Sequence, residues 1–359
     1  MPVTPADDDV VATHDQGRSN AREPLLVIEP LRRFLDGQGL DAPADLGAEP
    51  IGDGHSNVTF ALGTGVVLRR PPRGPLPPSA HDVLREARLL RALAPTDVRV
   101  PRILAVCDDP TVIGAPFYVM ELVDGDVITD AVPAALDDGE QRMRIADELV
   151  DGLVAVHRAD WSRLGLEGFG RPSGYLERQL RRFGGLWEHN RTRDLPEVAQ
   201  VGAWLTQHLP RSPSATIVHG DYRLGNTIYG RGAPARLAAI LDWEMATIGD
   251  PLADVGYLMS HWVQSDDEPT ALTLQSVTTE PGFPTRSQLI ERYERVSGRT
   301  VEHLDWYVVL AVWKAVVFME GNYKRALAGS TDDPYLKTFG DGVVALARRA
   351  LEISDKGFR

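Results

Sequence analysis

Asp221, Asn226 and Asp242 are the residues of this chain whose types and spacing could do chemistry. They lie in two runs, Ile-Val-His-Gly-Asp-Tyr-Arg-Leu-Gly-Asn-Thr-Ile-Tyr at 217–229 and Ile-Leu-Asp-Trp-Glu-Met at 240–245. Asp221 and Asn226 stand as H-x-D-x-x-x-x-N, and Asp242 supplies a third oxygen-bearing corner. Two hard oxygen ligands beside an acceptor carboxylate suit Mg2+ and a triphosphate, since Mg2+ is usually held by few protein oxygens together with phosphate. The chemistry such a set could do is phosphoryl transfer, where a protein mainly positions reactants and neutralises charge.

The elements that must position these groups can be read locally. Short apolar runs cover 214–218, 227–229 and 237–241, and Gly230-Arg-Gly232 supplies turn chemistry between the last two. That predicts a hairpin. Its strands run out and back, so Asn226 just before the first and Asp242 just after the second meet at the open end. Either motif alone is ordinary loop chemistry, because Asp, Asn and Gly favour turns. Both in this order around one hairpin make a candidate site.

With 359 residues, 43% hydrophobic and 25% charged, the chain can bury a large core as one large domain or two lobes. The single cysteine, Cys107, excludes an intrachain disulfide and gives no basis for a zinc cluster, so a cytoplasmic setting is expected. A net charge of -13 argues against a generic nucleic-acid or anionic-membrane surface. Residues 1–24 lack a basic start and an apolar core, which predicts a flexible tail rather than a secretory signal. The most apolar segment, 306–319, is interrupted by Lys314 and too short to span a bilayer, so it reads as a buried helix.

Along the chain, 25–35 has helical apolar spacing, and 51–60 reads as a glycine-bearing turn between strands. A strand at 66–70 stops at Pro71-Pro72, a proline-rich loop follows to Pro78, and a helix over 82–93 carries Glu86. Strands at 103–107 and 117–122 close this segment. Beyond 123–125 the spacing predicts helices over 141–157, 174–187, 197–209, 253–263, 287–296, 303–327 and 335–354. Thr285 with Gln288 forms a capping-box pattern at the start of one of them. The expected class is α+β, a small antiparallel-sheet lobe followed by a larger, mainly helical one. The expected divisions are a tail at 1–24, an N-lobe at 25–122, a hinge at 123–125 and a C-lobe at 126–359.

That order resembles the protein-kinase-like two-lobe fold, and its motifs resemble the aminoglycoside phosphotransferase family within it. The resemblance covers roughly residues 25–350. It rests on His219-Gly-Asp221 with Asn226, on Asp242-Trp-Glu244, and on Gly249-Asp-Pro-Leu-Ala-Asp254, with Gly220 where kinases usually carry Arg. Leu68-Arg-Arg-Pro-Pro72 and the 242–254 run look most like the branch found joined to acyl-CoA dehydrogenase domains, a partner domain not expected within these 359 residues. The resemblance implies that Asp221 accepts or orients the proton of a substrate hydroxyl and that Asn226 and Asp242 hold Mg2+. Arg223, two residues on, either steadies the transferring phosphate or pairs with a carboxylate. His219 and Asp254 are expected to brace the loop. Glu244 stands either near the metal or in a purely supporting role.

On the nucleotide side, Gly52-x-Gly54-x-x-Asn57, with Ser56 inside it, departs from G-x-G-x-x-G at its last position. Arg69 sits where the kinase strand lysine would be, and Glu86 where its ion-pair partner would be. A guanidinium can grip phosphate oxygens bidentately, so Arg can replace Lys there. Arg70 points to the opposite strand face and serves as an internal control expected to be near neutral. Met120-Glu-Leu-Val123 resembles the interlobe hinge, where backbone groups of Glu121 and Val123 would bond the purine of ATP or GTP.

The expected activity is Mg-dependent transfer of a γ-phosphate to a small-molecule hydroxyl, on a hydroxylated metabolite or hydroxyacyl compound rather than an antibiotic. The alternative is a nucleotide-binding pseudokinase acting through partners, for which the Arg69 and Asn57 departures speak. The helix over 303–327 is the expected acceptor wall, with Asn322, Tyr323, Lys324 and Arg325 as acceptor-binding groups. Neither nucleic acid nor membrane is expected as a partner.

Overall fold

The computed structural model describes residues 9–20, 22–52, 57–63, 65–74, 81–212, 214–272, 276–329 and 334–358. The chain divides into two compact units, Met1–Asp124 and Gly125–Arg359.

The first unit opens with two short parallel strands, β1 (Val10–Val11) and β2 (Leu26–Val27), flanking a single helical turn, α1 (His14–Gly17), that Thr13 and Gln16 close as a capping box. This corrects the expected flexible tail: the part of it from residue 9 onward pairs in a sheet and carries a capped helix. It also corrects 25–35, where two strand residues precede helix α2 (Ile28–Gly37). Helix α2 buries Leu31 and Leu35, spaced one turn apart.

Five antiparallel strands follow, β3 (Ala48–Ile51), β4 (Val58–Leu62), β5 (Val66–Arg70), β6 (Ile103–Cys107) and β7 (Phe117–Glu121), in the order β3-β4-β5-β7-β6. Helix α3 (Val83–Leu93) inserts between β5 and β6, with Asp82 accepting from the Arg85 amide as its N-cap. Alternation along β4 and β5 sends Phe60, Leu62 and Leu68 into one core with Leu31, Leu35, Phe117 and Val119. Full burial of each such side chain is worth about 1.5–3 kcal/mol.

Arg70 departs from the expected neutral control. It is 4% exposed, and its guanidinium donates to the carbonyls of Leu25, Pro71 and Ile113. Burial, with Arg73 adding to it, lowers the Arg70 pKa to about 10. Strand alternation did separate Arg69 from Arg70, but the face assigned to the control is an interior one, made tolerable by three carbonyl partners.

The second unit begins with strand β8 (Asp126–Val127) and helices α4 (Gly139–Arg158), α5 (Tyr175–Asn190) and α6 (Pro196–Gln207). Strands β9 (Thr216–Val218), β10 (Thr227–Tyr229), β11 (Leu237–Ile240) and β12 (Thr247–Gly249) then make two small sheets, β11-β10-β8 and β12-β9. Helices α7 (Leu252–His261), α8 (Arg286–Ser297), α9 (Leu304–Leu327) and α10 (Phe339–Lys356) complete it. The expected capping box at Thr285 and Gln288 is present.

Helix α9 is the spine of this unit, packing against α5, α6, α7 and α10. Its buried run from Trp306 to Val317 is broken at Lys314 and Ala315, which are half-buried. Against α7 the approach is close enough that a Cβ on Gly256 would lie 2.5 Å from the Tyr307 carbonyl carbon, so only glycine fits there. Among the described residues no helix is long and apolar enough to cross a membrane.

Candidate active site

The second unit brings together the loop after β9, the mouth of the β10–β11 hairpin and the first turns of α7. Thr227 pairs with Ile240 across the hairpin, so the next residues outward are Asn226 and Leu241, whose amide donates to the Asn226 carbonyl at 2.8 Å. Asp242 follows directly. It sits in left-handed backbone, φ 61 and ψ 63, a conformation costly for a non-glycine residue and typical of sites where the surroundings dictate the geometry.

Gly220 explains its own identity. Its φ is +88, and a Cβ there would come within 2.8 Å of the Met245 carbonyl oxygen. A larger residue would push the loop that carries Asp221 off the turn that follows Asp242, so glycine suits the place where the kinase pattern has Arg.

Asp254, on the first turn of α7, holds the loop from beneath. Its Oδ2 accepts from the His219 amide at 2.7 Å and from His157 Nε2 at 3.2 Å, while Oδ1 accepts from the Gly220 amide at 2.8 Å. Burial pushes this carboxyl upward, but the His157 bond and charge and the Gly220 amide outweigh it and the net shift is downward. Nε2 of His157 faces a carboxylate that can only accept and so carries a proton, while Nδ1 lies 2.8 Å from Tyr293 Oη.

Both nitrogens of His219 are committed to backbone. Nε2 lies 2.8 Å from the Leu241 carbonyl and must donate, while Nδ1 accepts from the Asp221 amide at 3.2 Å. The ring therefore ties the Asp221 loop to the hairpin strand that leads into Asp242. It has no lone pair left for a substrate proton.

At Asp221 the two carboxylate oxygens differ. Oδ2 accepts from Asn226 Nδ2 at 2.8 Å, and the same amide nitrogen also reaches the Asp221 carbonyl at 2.8 Å. Oδ1 is buried and has no hydrogen-bond partner. Arg223 Nε stands 3.7 Å from it, outside hydrogen-bonding range, on a side chain that is 40% exposed. The Asn226 amide nitrogen being spent, its carbonyl oxygen is the group left to face a ligand. With the Asp242 carboxylate at the same mouth, this donor set of hard oxygens fits Mg2+ accompanied by phosphate oxygens. Glu244 lies half-buried in the 3-10 turn Trp243–Met245.

Three groups that sequence reasoning did not assign to the site interact with Asp221. Tyr257 lies beside Asp221, and burial together with the Asp221 charge and a side-chain hydrogen bond to that carboxylate drives its hydroxyl pKa well upward. His261, stacked on Tyr257 at 4.3 Å, has Nδ1 3.0 Å from the Tyr257 carbonyl, and burial lowers its pKa to about 4. Lys314 is the third. Asp254, Tyr257 and His261 share one face of α7 by their spacing of three and four. The break in the apolar run at Lys314 was the one signal visible beforehand.

In the first unit, Arg69 Nε donates to Glu86 Oε2 at 3.1 Å and Nη1 to Thr59 Oγ1 at 3.3 Å, with Glu86 almost fully buried. Gly52 takes φ +83 and Asn57 is buried, while Gly54 and Ser56 lie outside the described residues. The Glu121 amide is already taken by the Arg102 carbonyl at 3.0 Å, which narrows the expected hinge contacts to the Glu121 carbonyl and Val123.

The residues expected to bind the acceptor make contacts of their own at the end of α9. Lys324 Nζ donates to the His189 carbonyl at 2.5 Å, and Arg325 donates to Asn322 Oδ1 at 2.6 Å. Tyr323 lies beneath the Arg193 guanidinium at 4.8 Å, and Arg193 in turn pairs with the buried Glu320 at 3.0 Å. The Lys324, Tyr323 and Glu320 contacts tie α9 to the end of α5 and the segment after it.

Comparison with known proteins places this geometry. Residues 47–287 match the family model described as "Phosphotransferase enzyme family" (APH). Acyl-CoA dehydrogenase family member 10 of Mus musculus is 32% identical over 312 residues, which covers 85% of this chain and 29% of that protein. The chain spans between 29% and 43% of the length of the curated relatives it matches. A crystal structure from Ralstonia eutropha JMP134, provisionally named an aminoglycoside phosphotransferase, superposes with a TM-score of 0.78 at 29% identity, covering 92% of this chain and 99% of that one. A thermostable mutant of the aminoglycoside phosphotransferase APH(4)-Ia, in ternary complex with AMP-PNP and hygromycin B, shares the fold at a TM-score of 0.58 and 16% identity over 92% of this chain and 100% of that one. The α+β, kinase-like class expected from the sequence is the observed one.

Proposed function

The chain belongs to the phosphotransferase enzyme family, and from that membership we propose that it moves the γ-phosphate of ATP or GTP to a hydroxyl of a small organic molecule. The observation that carries the reading is the asymmetry of Asp221. One oxygen is fixed by Asn226, and the other is buried and unbonded, an acceptor waiting for a proton donor.

In this reading the substrate hydroxyl donates to Asp221 Oδ1. As its oxygen forms the new bond to the γ-phosphorus, the bond from that phosphorus to the bridging oxygen breaks and the nucleoside diphosphate leaves. The proton passes to Asp221, and from there to solvent. Asn226 fixes the carboxylate rotamer, while His219 and Asp254 fix the backbone beneath it. Asn226 and Asp242 are the residues that would hold Mg2+, which supplies charge neutralisation at the phosphates. Arg69, set by Glu86, would orient phosphate oxygens, and the Glu121 carbonyl with Val123 would meet the purine. The analogue AMP-PNP in a protein of the same fold supports a nucleoside triphosphate donor. Kinship with proteins named for acyl-CoA dehydrogenation supports a hydroxylated metabolite or hydroxyacyl compound as acceptor.

The test is purified protein with Mg-ATP or Mg-GTP against hydroxylated metabolites and aminoglycosides, reading diphosphate release and product mass together. Asp221→Asn should keep nucleotide binding and lose turnover by about a hundredfold or more, the scale of a general-base contribution. Undiminished turnover in that variant would overturn the assignment, and a nucleotide-binding protein with no product from any acceptor would favour the pseudokinase alternative.

A further inference from the structure

Lys314 is a half-buried cation that the proposed mechanism does not use. Its ammonium lies over the Phe183 ring of α5, 5.0 Å from the centroid. Phe183 in turn meets Phe318, one helical turn beyond Lys314, edge to face at 5.0 Å. Among the described residues no carboxylate comes within ion-pair distance of the ammonium.

Its charge is felt by Asp254 and Asp221 and opposed by Arg182. Asp254 already spends its oxygens on His219, Gly220 and His157, so it has little to offer the lysine. Removal from water lowers the Lys314 pKa to about 8. A lysine so placed is unfavourable by itself, because a desolvated ammonium over an aromatic face regains only part of its hydration. Phe318 is 41% exposed, so the aromatic wall beside the amine opens to solvent. The ammonium, seated on an apolar wall of Phe183 with Phe318 beside it, thus feels the Asp221 carboxylate as well as Asp254.

From this juxtaposition we infer that Lys314 is a positioning residue that holds the acidic group of the acceptor, which is a hydroxy acid with its apolar segment against Phe318 and its hydroxyl toward Asp221. The inference rests on the phosphotransfer reading. Lys314 and Arg182 would repel a polycation at the same place, which sets the preference by charge.

The experiment compares wild type with Lys314→Met and Lys314→Arg, using 3-hydroxyoctanoate, its uncharged counterpart 1,3-octanediol, and kanamycin. Thermal melts with and without each compound supply a readout independent of turnover. Expected is a KM for 3-hydroxyoctanoate at least tenfold higher in Lys314→Met, with kcat and the nucleotide KM within about twofold, recovery in Lys314→Arg, and no change for the diol. Methionine fills the same apolar space without a charge, so the unliganded variant should melt no lower than wild type. The hydroxy acid should raise the melting temperature of wild type and not of Lys314→Met.

If no compound is phosphorylated but the hydroxy acid stabilises in a Lys314-dependent way, the phosphotransfer reading fails and the anion site stands. If phosphorylation occurs and neither KM nor melting separates Lys314→Met from wild type, the site is wrong and the reading stands. Turnover of kanamycin alone, or a hydroxy acid that neither binds nor reacts, also overturns the inference.

Discussion

Replacing Asp254 with Asn should uncouple the loop that carries Asp221 from the helix that supports it. Asp254 accepts at 2.7 Å from the His219 amide, 2.8 Å from the Gly220 amide and 3.2 Å from His157. An asparagine has one acceptor oxygen. Its best orientation keeps that oxygen at the Oδ2 position, for His219 and His157, and turns an NH2 group toward the Gly220 N–H. The lost charge-assisted bond is worth about 1.5–3 kcal/mol, and the two donors left facing each other in a buried site cost roughly 1–2 kcal/mol more. The expected destabilisation is therefore about 2.5–5 kcal/mol, a large part of the stability of an ordinary domain. Urea unfolding followed by circular dichroism measures it directly. The sign of its pH dependence follows from the lowered pKa. A carboxyl depressed in the fold contributes stability above its unfolded value of 3.8, lost as the pH falls through the folded value. The gap between wild type and variant should accordingly narrow in acid. A loss under about 1 kcal/mol, or a gap as wide in acid as at neutrality, would refute the reasoning.

Other outcomes follow from particular contacts. Arg70→Met should destabilise the first unit by about 2–4 kcal/mol, since three carbonyls lose a shared donor, while Arg69→Ala should weaken productive nucleotide use by about 1.5–3 kcal/mol. Equal stability of the Arg70 variant and wild type in denaturant would contradict the first half. Gly220→Ala, with φ +88 and a contact at 2.8 Å, should cost about 1–3 kcal/mol and most of the activity; wild-type kinetics in this variant would show that the loop can shift. Asp242→Ala should abolish Mg-nucleotide turnover in a protein that still melts cooperatively, and full activity of wild type in excess chelator would exclude the metal mechanism. His261 has a folded pKa of about 4 against an unfolded 6.5, so the unfolded chain takes up its proton first as the pH drops. Stability should fall between those two values, and a His261→Gln variant should lose that part of the acid limb in pH-dependent melts.

How much could be read in advance follows chain distance. Asp221, Asn226 and Asp242 lie within a few residues of one hairpin, where alternating side chains and Gly230-Arg-Gly232 decide both register and which end is open. Helices such as α3 and α8 announced themselves by apolar period and caps, Asp82 for one and the Thr285–Gln288 box for the other. Arg69 and Glu86 were paired because a strand and the next helix keep fixed positions in this fold, and their 3.1 Å bond is there.

Other features needed the tertiary structure. Arg70 alternates away from Arg69, but whether that face meets water or three carbonyls depends on Leu25 and Ile113, segments more than forty residues away. The parallel pairing of Val10–Val11 with Leu26–Val27 leaves no local signature, because two-residue strands carry too little pattern to declare a partner. Near the end of α9, the contacts of Lys324 with the His189 carbonyl and of Tyr323 with Arg193 depend on residues about 130 positions away and could not be read from the helix itself. The H-x-D-x-x-x-x-N loop and its hairpin were determined by sequence, since local sterics and turn chemistry act over a handful of bonds. The placement of Tyr257, His261 and Lys314 around Asp221 was decided only when α7, α9 and α5 packed. Helical period specifies which residues share a face and leaves open which other element that face will meet.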